Sequence, residues 1–249
     1  TSFPSFLEQA FHAPRKNGEI IKAGRELIGD RSIFITKKRY AINIFDKEGK
    51  RKDKDGKAGD IKAMGLDLKR ADTPKYVQEF LMNILSMVIQ QGKSRDEIII
   101  AIKDFKNKLS KMDSWMKGSP KSVNKLTFYG ELEKNSTKGR ANMPGHVRGA
   151  LNYNYLRRIN SDNYSMKIVD GMKVVVCKLK HNPLNFTSIA YPTDELRLPS
   201  WFTELPFNDL EMEKTLVDEK IENLLGVLGW DLRSNTDTNS TFDELFSFG

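Results

Sequence analysis

The stretch Ile33-Phe34-Ile35-Thr36-Lys37-Lys38-Arg39-Tyr40-Ala41-Ile42-Asn43-Ile44-Phe45 decides the fold of the first part of the chain. β-Branched and aromatic residues dominate both of its ends, and these residue types favour strands. Asp46-Lys47-Glu48-Gly49 follows with turn-forming residues. We predict β structure over residues 32–46, a basic loop or hairpin tip over 47–60, and a returning strand from Ile61 to Leu68.

The segment Lys37-Lys38-Arg39-Tyr40 places three cations beside an aromatic residue in the middle of that stretch. Because side chains on a strand alternate between two faces, we expect Lys38 and Tyr40 on one face. Lys37 and Arg39 would then lie on the other. One face could contact phosphates or minor-groove acceptors, and the other a neighbouring carboxylate or strand. A basic tetrapeptide is common by chance, so it does not establish a nucleic-acid site by itself.

Two helices are predicted after the β region. Asp72 or Thr73 can cap the first helix, Pro74 suits its first position, and Gly92 ends it. The capping box from Ser94 to Glu97 starts the second helix. Each helix has an apolar stripe at helical spacing: Val77, Phe80, Leu81, Ile84, Leu85, Val88 and Ile89 in the first, and Ile98, Ile99, Ile102, Phe105 and Leu109 in the second. The short connection predicts an antiparallel pair.

The second half of the chain has weaker signals. Residues 118–144 are polar and contain glycine, which predicts mostly loop. Val147 to Tyr155 and Met172 to Leu179 are interpreted as strands or buried segments. An amphipathic helix is predicted from about Asp209 to Leu228. Together with the first half, this pattern predicts an α+β protein.

The composition indicates a polyanionic partner and argues against several kinds of site. The net charge is +8 with a pI near 9.3, and residues 47–57 hold six bases against three acids. A solvated loop is the alternative for that segment. Cys177 is the single cysteine, which excludes an internal disulfide and a thiolate zinc site. The three histidines have no metal-type spacing, and no apolar run could cross a bilayer. We therefore predict an intracellular protein with no catalytic and no metal-binding residue in this chain.

The carboxy-terminal residues combine a polar run with an apolar cluster. The run Ser234 to Ser240 cannot bury enough apolar surface to fold alone and is predicted to be a flexible tether. The cluster beyond it is typical of a ligand for another protein's groove, with four predicted anchors: Phe242, Leu245, Phe246 and Phe248. A tail that folds back on its own domain is the alternative.

Six short motifs, in order, resemble those of family B DNA polymerases, and of the replicative polymerases of T-even-like bacteriophages in particular. They are Lys37-Lys38-Arg39-Tyr40, Lys62-Ala63-Met64-Gly65, Asp72-Thr73-Pro74-Lys75, His146-Val147-Arg148-Gly149, Asn182-Pro183 and the tail Leu245-Phe246-Ser247-Phe248-Gly249. No motif is strong alone. Their order over residues 25–249 makes the resemblance specific. The tail departs from the family's usual Phe-Leu-Phe-Gly ending.

The resemblance implies an arrangement of domains. Residues 25–71 would form the last strands of the palm, residues 72–233 a mostly helical thumb with a small β portion, and residues 234–249 a flexible tail that binds a sliding clamp. Residues 1–24 would be an extension of unclear role.

The resemblance also implies residue roles. The Lys-Lys-x-Tyr segment would hold the primer–template duplex, and the thumb would wrap it, so the implied DNA-binding residues are Lys37, Lys38, Arg39, Tyr40, Lys62 and Arg148. His146 and Arg148 have a structural alternative, a hydrogen-bonded pair that ties the thumb together.

The chain departs from the family where catalysis is concerned. The motifs Asp-x-x-Ser-Leu-Tyr-Pro and Tyr-x-Asp-Thr-Asp-Ser, which supply the metal-binding aspartates, are absent from it. The expected partner is an N-terminal polymerase portion with exonuclease, fingers and catalytic palm, which would hold Mg²⁺. The chain is then a split subunit or a fragment, inactive alone, in the host cytoplasm if phage-encoded. The alternatives are a non-enzymatic double-stranded-DNA-binding accessory protein that recruits a clamp and, less well supported, an RNA-binding protein.

Overall fold

The computed structural model describes residues 3–18, 24–135 and 143–232 of the 249-residue chain. Helices and two antiparallel sheets alternate along it, which confirms the α+β class. The chain divides into two compact units, the first ending at Met64 and the second beginning at Gly65. Among these residues no helix combines the length and apolar character that a membrane span needs. The predicted clamp-binding residues, Phe242, Leu245, Phe246 and Phe248, lie outside the described residues.

The first unit is built around a four-stranded antiparallel sheet. Its elements are α1 (Phe3–Phe11), α2 (Arg15–Gly18), β1 (Leu27–Thr36), β2 (Arg39–Lys47), β3 (Lys50–Arg51) and β4 (Asp60–Met64). Strand β2 pairs with β1, with β3 and with β4. Three directly opposed residues, Ile33, Ala41 and Ala63, are buried on one face of the sheet. The predicted β structure over residues 32–46 is therefore confirmed.

The returning strand is shorter than predicted. Strand β4 ends at Met64, and Asp67–Lys69 forms one turn of 3-10 helix in which Leu68 is buried. Gly65 between them has φ +64°, a left-handed conformation that glycine adopts without steric cost. The predicted strand from Ile61 to Leu68 therefore combined strand β4 with the buried Leu68 of the next turn, and Gly65 separates the two.

The helical pair of the second unit is confirmed. Helix α3 spans Lys75–Ile89 and α4 spans Arg95–Ser110, with the capping box at Ser94 and Glu97 formed as predicted. Phe80 stacks on Phe105 with ring centroids 3.8 Å apart, so the first half of α3 meets the second half of α4.

The predicted start of α3 is wrong in detail. Pro74 is the N-cap, and no side chain caps the helix. Asp72 instead accepts hydrogen bonds from Arg70 and Lys121, and the Thr73 hydroxyl accepts one from Lys220. These two polar side chains therefore link α3 to distant segments.

Residues 118–160 hold the largest corrections. The segment predicted as loop contains β5 (Ser119–Ser122) and α5 (Leu126–Asn135). Val147 to Tyr155, interpreted as a strand or buried segment, lies within α6 (Gly145–Ile159). Asn, Tyr and Gly are weak helix formers, so local propensity hid this helix. Its buried positions recur about every third residue: Val147, Ala150, Tyr153 and Leu156.

A three-stranded sheet and a helical C-terminal segment complete the second unit. Strand β6 (Lys173–Lys178) confirms a predicted strand and lies between β5 and β7 (Ser188–Pro192). Helices α7 (Ser200–Thr203), α8 (Asp209–Glu213) and α9 (Glu219–Leu225) follow. One π-helical segment, Lys214–Asp218, joins α8 to α9, so the predicted helix from Asp209 to Leu228 is a continuous but irregular helical run. Tyr153, Ile189 and Phe202 are fully buried in the core of this unit.

Candidate nucleic-acid interface

The cations of the first unit lie at a tight hairpin turn. Thr36 at the end of β1 pairs with Arg39 at the start of β2, so Lys37 and Lys38 form a two-residue loop. Lys38 has φ +63°, an uncommon conformation for a residue with a side chain. The prediction that the tetrapeptide lies on one strand, with alternating faces, is therefore wrong for Lys37 and Lys38. The turn projects them beyond the end of the sheet.

Both lysines of the turn are available to an anionic ligand. Lys37 and Lys38 are exposed, and within the described part of the chain neither is held in an ion pair. Arg39, which begins β2, is partly buried. An exposed lysine without a carboxylate partner keeps its full charge for a phosphate, because no existing ion pair must be broken first.

Tyr40 lies directly behind the turn in a row of apolar side chains across three strands. It is the Cα partner of Phe34 on β1 and of Met64 on β4. Directly opposed residues of an antiparallel pair share a face of the sheet. The rings of Phe34 and Tyr40 are 5.9 Å apart, which agrees with that placement. We call Phe34, Tyr40 and Met64 the apolar row.

Lys62 lies on the same face as Tyr40, two residues before Met64 on β4. Its ammonium group is 2.8 Å from the carboxylate of Glu26. That hydrogen bond raises the pKa of Lys62 and lowers the pKa of Glu26. A phosphate at Lys62 would therefore compete with Glu26, which sets Lys62 apart from Lys37 and Lys38.

Buried polar contacts fix the hairpin that carries the turn. The amide nitrogen of Asn43 on β2 donates to the carboxylate of Asp30 on β1, at 2.9 Å, and to the carbonyl oxygen of Ala58, at 2.8 Å. Asp46, at the other end of β2, accepts from the guanidinium of Arg25 and the amide of Gly49. Because both side chains are buried, these hydrogen bonds hold β2 in register with its neighbours.

Arg148, the sixth predicted DNA-binding residue, belongs to the second unit and is structurally engaged. It lies in the first turn of α6, partly buried, and donates to the carbonyl oxygen of Met143 and the hydroxyl of Thr187. The next residue, Gly149, is packed so closely on β7 that an added Cβ would lie 3.0 Å from the carbonyl carbon of Ile189. The His-x-Arg-Gly motif therefore joins α6 to β7.

A cleft of about 410 Å³ in the second unit collects further cations, including Arg70, Lys117, Lys121 and Lys220. Each of these four is within 4.0 Å of a carboxylate: Arg70 and Lys121 of Asp72, Lys117 of Asp209 and Glu213, and Lys220 of Asp67. The hydrogen bond from Arg70, with that from Lys121, holds the pKa of Asp72 well below its usual range. The charges of the cleft are therefore largely matched internally.

His146 lines the same cleft near Lys121. Partial burial, together with the charge of Lys121, lowers the pKa of the imidazole below its ordinary value. The neutral form is thus favoured at neutral pH, and His146 adds no cation to the cleft there.

No group of three or more His, Cys, Asp and Glu side chains within residues 3–18, 24–135 and 143–232 is arranged to hold a metal ion. Burial raises the pKa of the Cys177 thiol well above its usual range, so it is protonated at neutral pH.

The structure brings five of the six predicted DNA-binding residues together at one end of the first sheet. Sequence reasoning did not assign Phe34 to this site, although it is a neighbour of Tyr40. Recognising Lys37-Lys38 as a turn would not have been enough, because continuous pairing from Thr36 and Arg39 would set Ile35 opposite Tyr40. A register shift between Phe34 and Thr36 brings Phe34 there instead.

Comparisons with known proteins confirm the resemblance to family B DNA polymerases. Residues 16–223 match the family model for DNA polymerase family B. The chain is 32% identical over 200 residues, 80% of its length, to a DNA-directed DNA polymerase of Enterobacteria phage T4, and covers 20% of that protein. It is 31% identical over 173 residues, 63% of its length, to a DNA-directed DNA polymerase of Escherichia phage RB69, and covers 16% of that protein. The chain thus spans a fifth or less of the length of these relatives.

Proposed function

The chain belongs to DNA polymerase family B, and from that premise we propose that it is the part of such a polymerase that holds the primer–template duplex. The observation that carries this proposal is the exposed Lys37-Lys38 turn, with no ion pair to either lysine in the described residues and with Tyr40 directly behind it. Residues 25–71 would be the end of the palm and residues 72–233 the thumb.

The grip would be electrostatic and independent of sequence. Lysines at the tip of a hairpin reach phosphates as point charges, whereas base recognition needs side chains that reach base edges. Lys62 would join them if DNA displaced Glu26, and Arg148 would act chiefly by fixing the start of α6. The net charge of +8 would favour the same partner.

Salt dependence of DNA binding tests the proposal. Removal of one lysine that neutralises a phosphate should lower the slope of log K against log salt by about 0.9. We expect this loss for Lys38→Ala on two duplexes of unrelated sequence, measured by fluorescence anisotropy. Lys93→Ala is the control, because Lys93 is bound to Glu97 in the capping box at the start of α4. An unchanged slope, or a loss seen on one sequence only, would count against the phosphate contact.

The catalytic aspartates and their Mg²⁺ would belong to the rest of the polymerase, either as a partner subunit or as the remainder of one longer chain. The support is the absence of the two aspartate motifs from the sequence. We expect the purified chain to show no primer extension with magnesium and nucleotides, and to stimulate extension when it is added to the catalytic portion. An accessory protein that only binds duplex DNA and recruits a clamp would bind DNA but fail this complementation.

The tail would tether the enzyme to a sliding clamp. A short aromatic ligand on a polar tether binds weakly alone, but linkage to the duplex contact raises its effective concentration. Deletion of residues 242–249 should shorten processive synthesis with the clamp and leave single-nucleotide addition almost unchanged. Equal impairment of single additions would indicate a structural part of the thumb.

A further inference from the structure

Two of the three side chains of the apolar row are exposed to solvent. Phe34 is 63% exposed and Met64 46% exposed, although both flank a partly buried tyrosine. On the opposite face Ile33, Ala41 and Ala63 are buried, and on the same face Ile44, four residues after Tyr40 on β2, is buried as well. The exposed apolar strip is therefore confined to the end of this face that lies next to the Lys37-Lys38 turn.

Cations border this strip. Lys37 and Lys38 lie at the turn that follows Phe34, and Lys62 lies two residues before Met64 on the same face. Lys62 already has the carboxylate of Glu26, so a protein surface that covered the strip would have to meet the charges of Lys37 and Lys38 with carboxylates. A duplex meets them with phosphates on either side of a groove whose floor and sugar edges are less polar. The charge pattern thus favours nucleic acid as the occupant.

We propose that the apolar row lies against the sugar edge of the minor groove and makes this hairpin select duplexes of deoxyribose over duplexes that contain ribose. The inference rests on the proposed duplex-holding function and adds a substrate class to it. Phe34 and Met64 would contact the sugars, and Tyr40, with its hydroxyl, would face the groove between them.

The physical reason is desolvation of the 2′-hydroxyl. In an RNA-containing helix the 2′-hydroxyls are displayed in the minor groove, where they bind water. Phenyl and thioether side chains offer no strong hydrogen-bond partner, so contact with them would remove that water without replacement. Deoxyribose presents only C–H groups at the same position and loses nothing on contact.

The dimensions of the row suit this contact. Neighbouring strands are about 4.8 Å apart, so a row across three strands spans roughly 10 Å. Nucleotides along one strand of DNA rise about 3.4 Å each, so the row would cover about three consecutive sugars. A single 2′-hydroxyl on one of these sugars would be enough to weaken binding.

Binding of the full-length chain to three duplexes of identical sequence tests the proposal: all-DNA, an RNA–DNA hybrid, and a hybrid whose RNA strand carries 2′-fluorine in place of the hydroxyl. We expect the all-DNA duplex to bind about tenfold more tightly than the RNA–DNA hybrid, a factor typical of one unsatisfied hydroxyl. The 2′-fluoro hybrid, which retains an A-like shape without a hydroxyl, should regain most of the affinity.

Phe34→Ser combined with Met64→Ser should reduce the preference for the all-DNA duplex to about twofold. The salt slope should not change, because no charge is removed.

The control is Phe128→Ser, at a phenylalanine 57% exposed in the second unit, which should retain the wild-type preference. Absence of binding to any duplex would refute the proposed duplex-holding function and this inference with it. Tight but equal binding to all three duplexes would refute the inference alone. If the all-DNA duplex were still preferred over the 2′-fluoro hybrid, the chain would be recognising helix shape, and the inference would again be refuted. If the double substitution instead weakened assembly with the catalytic portion and left all duplexes unaffected, the row would be a protein contact.

Discussion

The lysines of the two units show opposite uses of the same side chain. At the hairpin turn of the first unit, Lys37 and Lys38 are exposed, and in the described residues no ion pair holds them. In the cleft of the second unit, Lys117, Lys121 and Lys220 are bound to carboxylates or lie close to them. The difference teaches that a high net charge does not locate a DNA-binding surface. The pairing state of each cation indicates which charges remain open to a ligand.

The physical basis of the difference is desolvation. Lys117 is only 2% exposed, and a buried ammonium is costly unless carboxylates surround it. Glu213 at 3.2 Å and Asp209 at 3.4 Å supply that compensation. An exposed lysine needs no such partner and contributes little to stability, so its charge remains available to a ligand.

The largest expected effect is on Lys117. Lys117→Met leaves Asp209 and Glu213 without their cation and should lower the free energy of unfolding of the second unit by about 3 kcal/mol. All three tryptophans, Trp115, Trp201 and Trp230, belong to that unit, so denaturation followed by tryptophan fluorescence reports on it.

Lys178→Met is the matched control for this prediction. Lys178 pairs with Glu211 at 3.1 Å, but both side chains are about half exposed. The expected loss is therefore less than about 1 kcal/mol. Equal losses for Lys117 and Lys178 would show that burial does not distinguish the lysines of this cleft.

A smaller effect is expected at the contact that positions Arg148. Gly149→Ala would bring a methyl group to about 3.0 Å from the backbone of β7, and overpacking of this kind costs about 2 kcal/mol. Gly130→Ala in α5 is the control, since its nearest neighbour is the Leu151 side chain at 3.6 Å. That substitution should stabilise the helix slightly. If both variants unfold alike, α6 can shift on β7, and the second unit is less rigid than its contacts indicate.

These contacts also show where sequence reasoning succeeds and where it fails. The capping box at Ser94 and the apolar stripes of α3 and α4 are local patterns, and they predicted both helices correctly. Strand β2 was equally clear in the sequence, because Tyr40, Ile42, Ile44 and Phe45 are residue types that favour strands and lie close together in it. Local patterns therefore gave the fold class and the frame of the candidate site.

The failures involve partners that are distant in sequence. Helix α5 is capped by Asp170, whose carboxylate accepts hydrogen bonds from the backbone N–H groups of Leu126 and Thr127. No residue near position 126 in the sequence predicts this cap. Helix α6 consists of weak helix formers and depends on β7 for its packing. At the candidate site, Phe34 and Tyr40 become neighbours through a register shift in β1 and a turn at two lysines, which are not typical turn residues.

That turn gives a prediction in which charge and backbone strain can be separated. Lys38→Ala and Lys38→Gly both remove the cation, but only glycine adopts φ +63° without steric cost. Both variants should lose the same salt slope in DNA binding. Lys38→Gly should stabilise the hairpin relative to Lys38→Ala by up to about 1 kcal/mol.

Hydrogen exchange of the paired amides of β1 and β2 measures this difference in the first unit, which lacks tryptophan. Greater protection in Lys38→Gly, with equal salt slopes, would support a strained turn whose function is to present charge. A salt slope restored by glycine would mean that the conformation of the turn, rather than the charge of Lys38, governs binding.

The smallest expected effect is the pH response of the cleft. Burial and the charge of Lys121 lower the folded-state pKa of His146 below its ordinary value of 6.5, so the unfolded chain binds a proton more readily than the folded chain. Stability from this source is fully present above pH 6.5 and is lost as the pH falls below it, because protonation then favours the unfolded state.

His146→Gln should flatten the curve of unfolding free energy against pH between about pH 7.5 and 5.5. Denaturation followed by tryptophan fluorescence measures that curve. The same substitution at the exposed His181 should leave the curve as in the wild type. Because Asp72 holds Lys121 in place, Asp72→Asn combined with His146→Gln should show no further flattening if His146 is the group that responds. A wild-type curve that is already flat, or one that rises as the pH falls, would contradict the assignment and would leave the cleft as a set of ion pairs that is indifferent to this histidine.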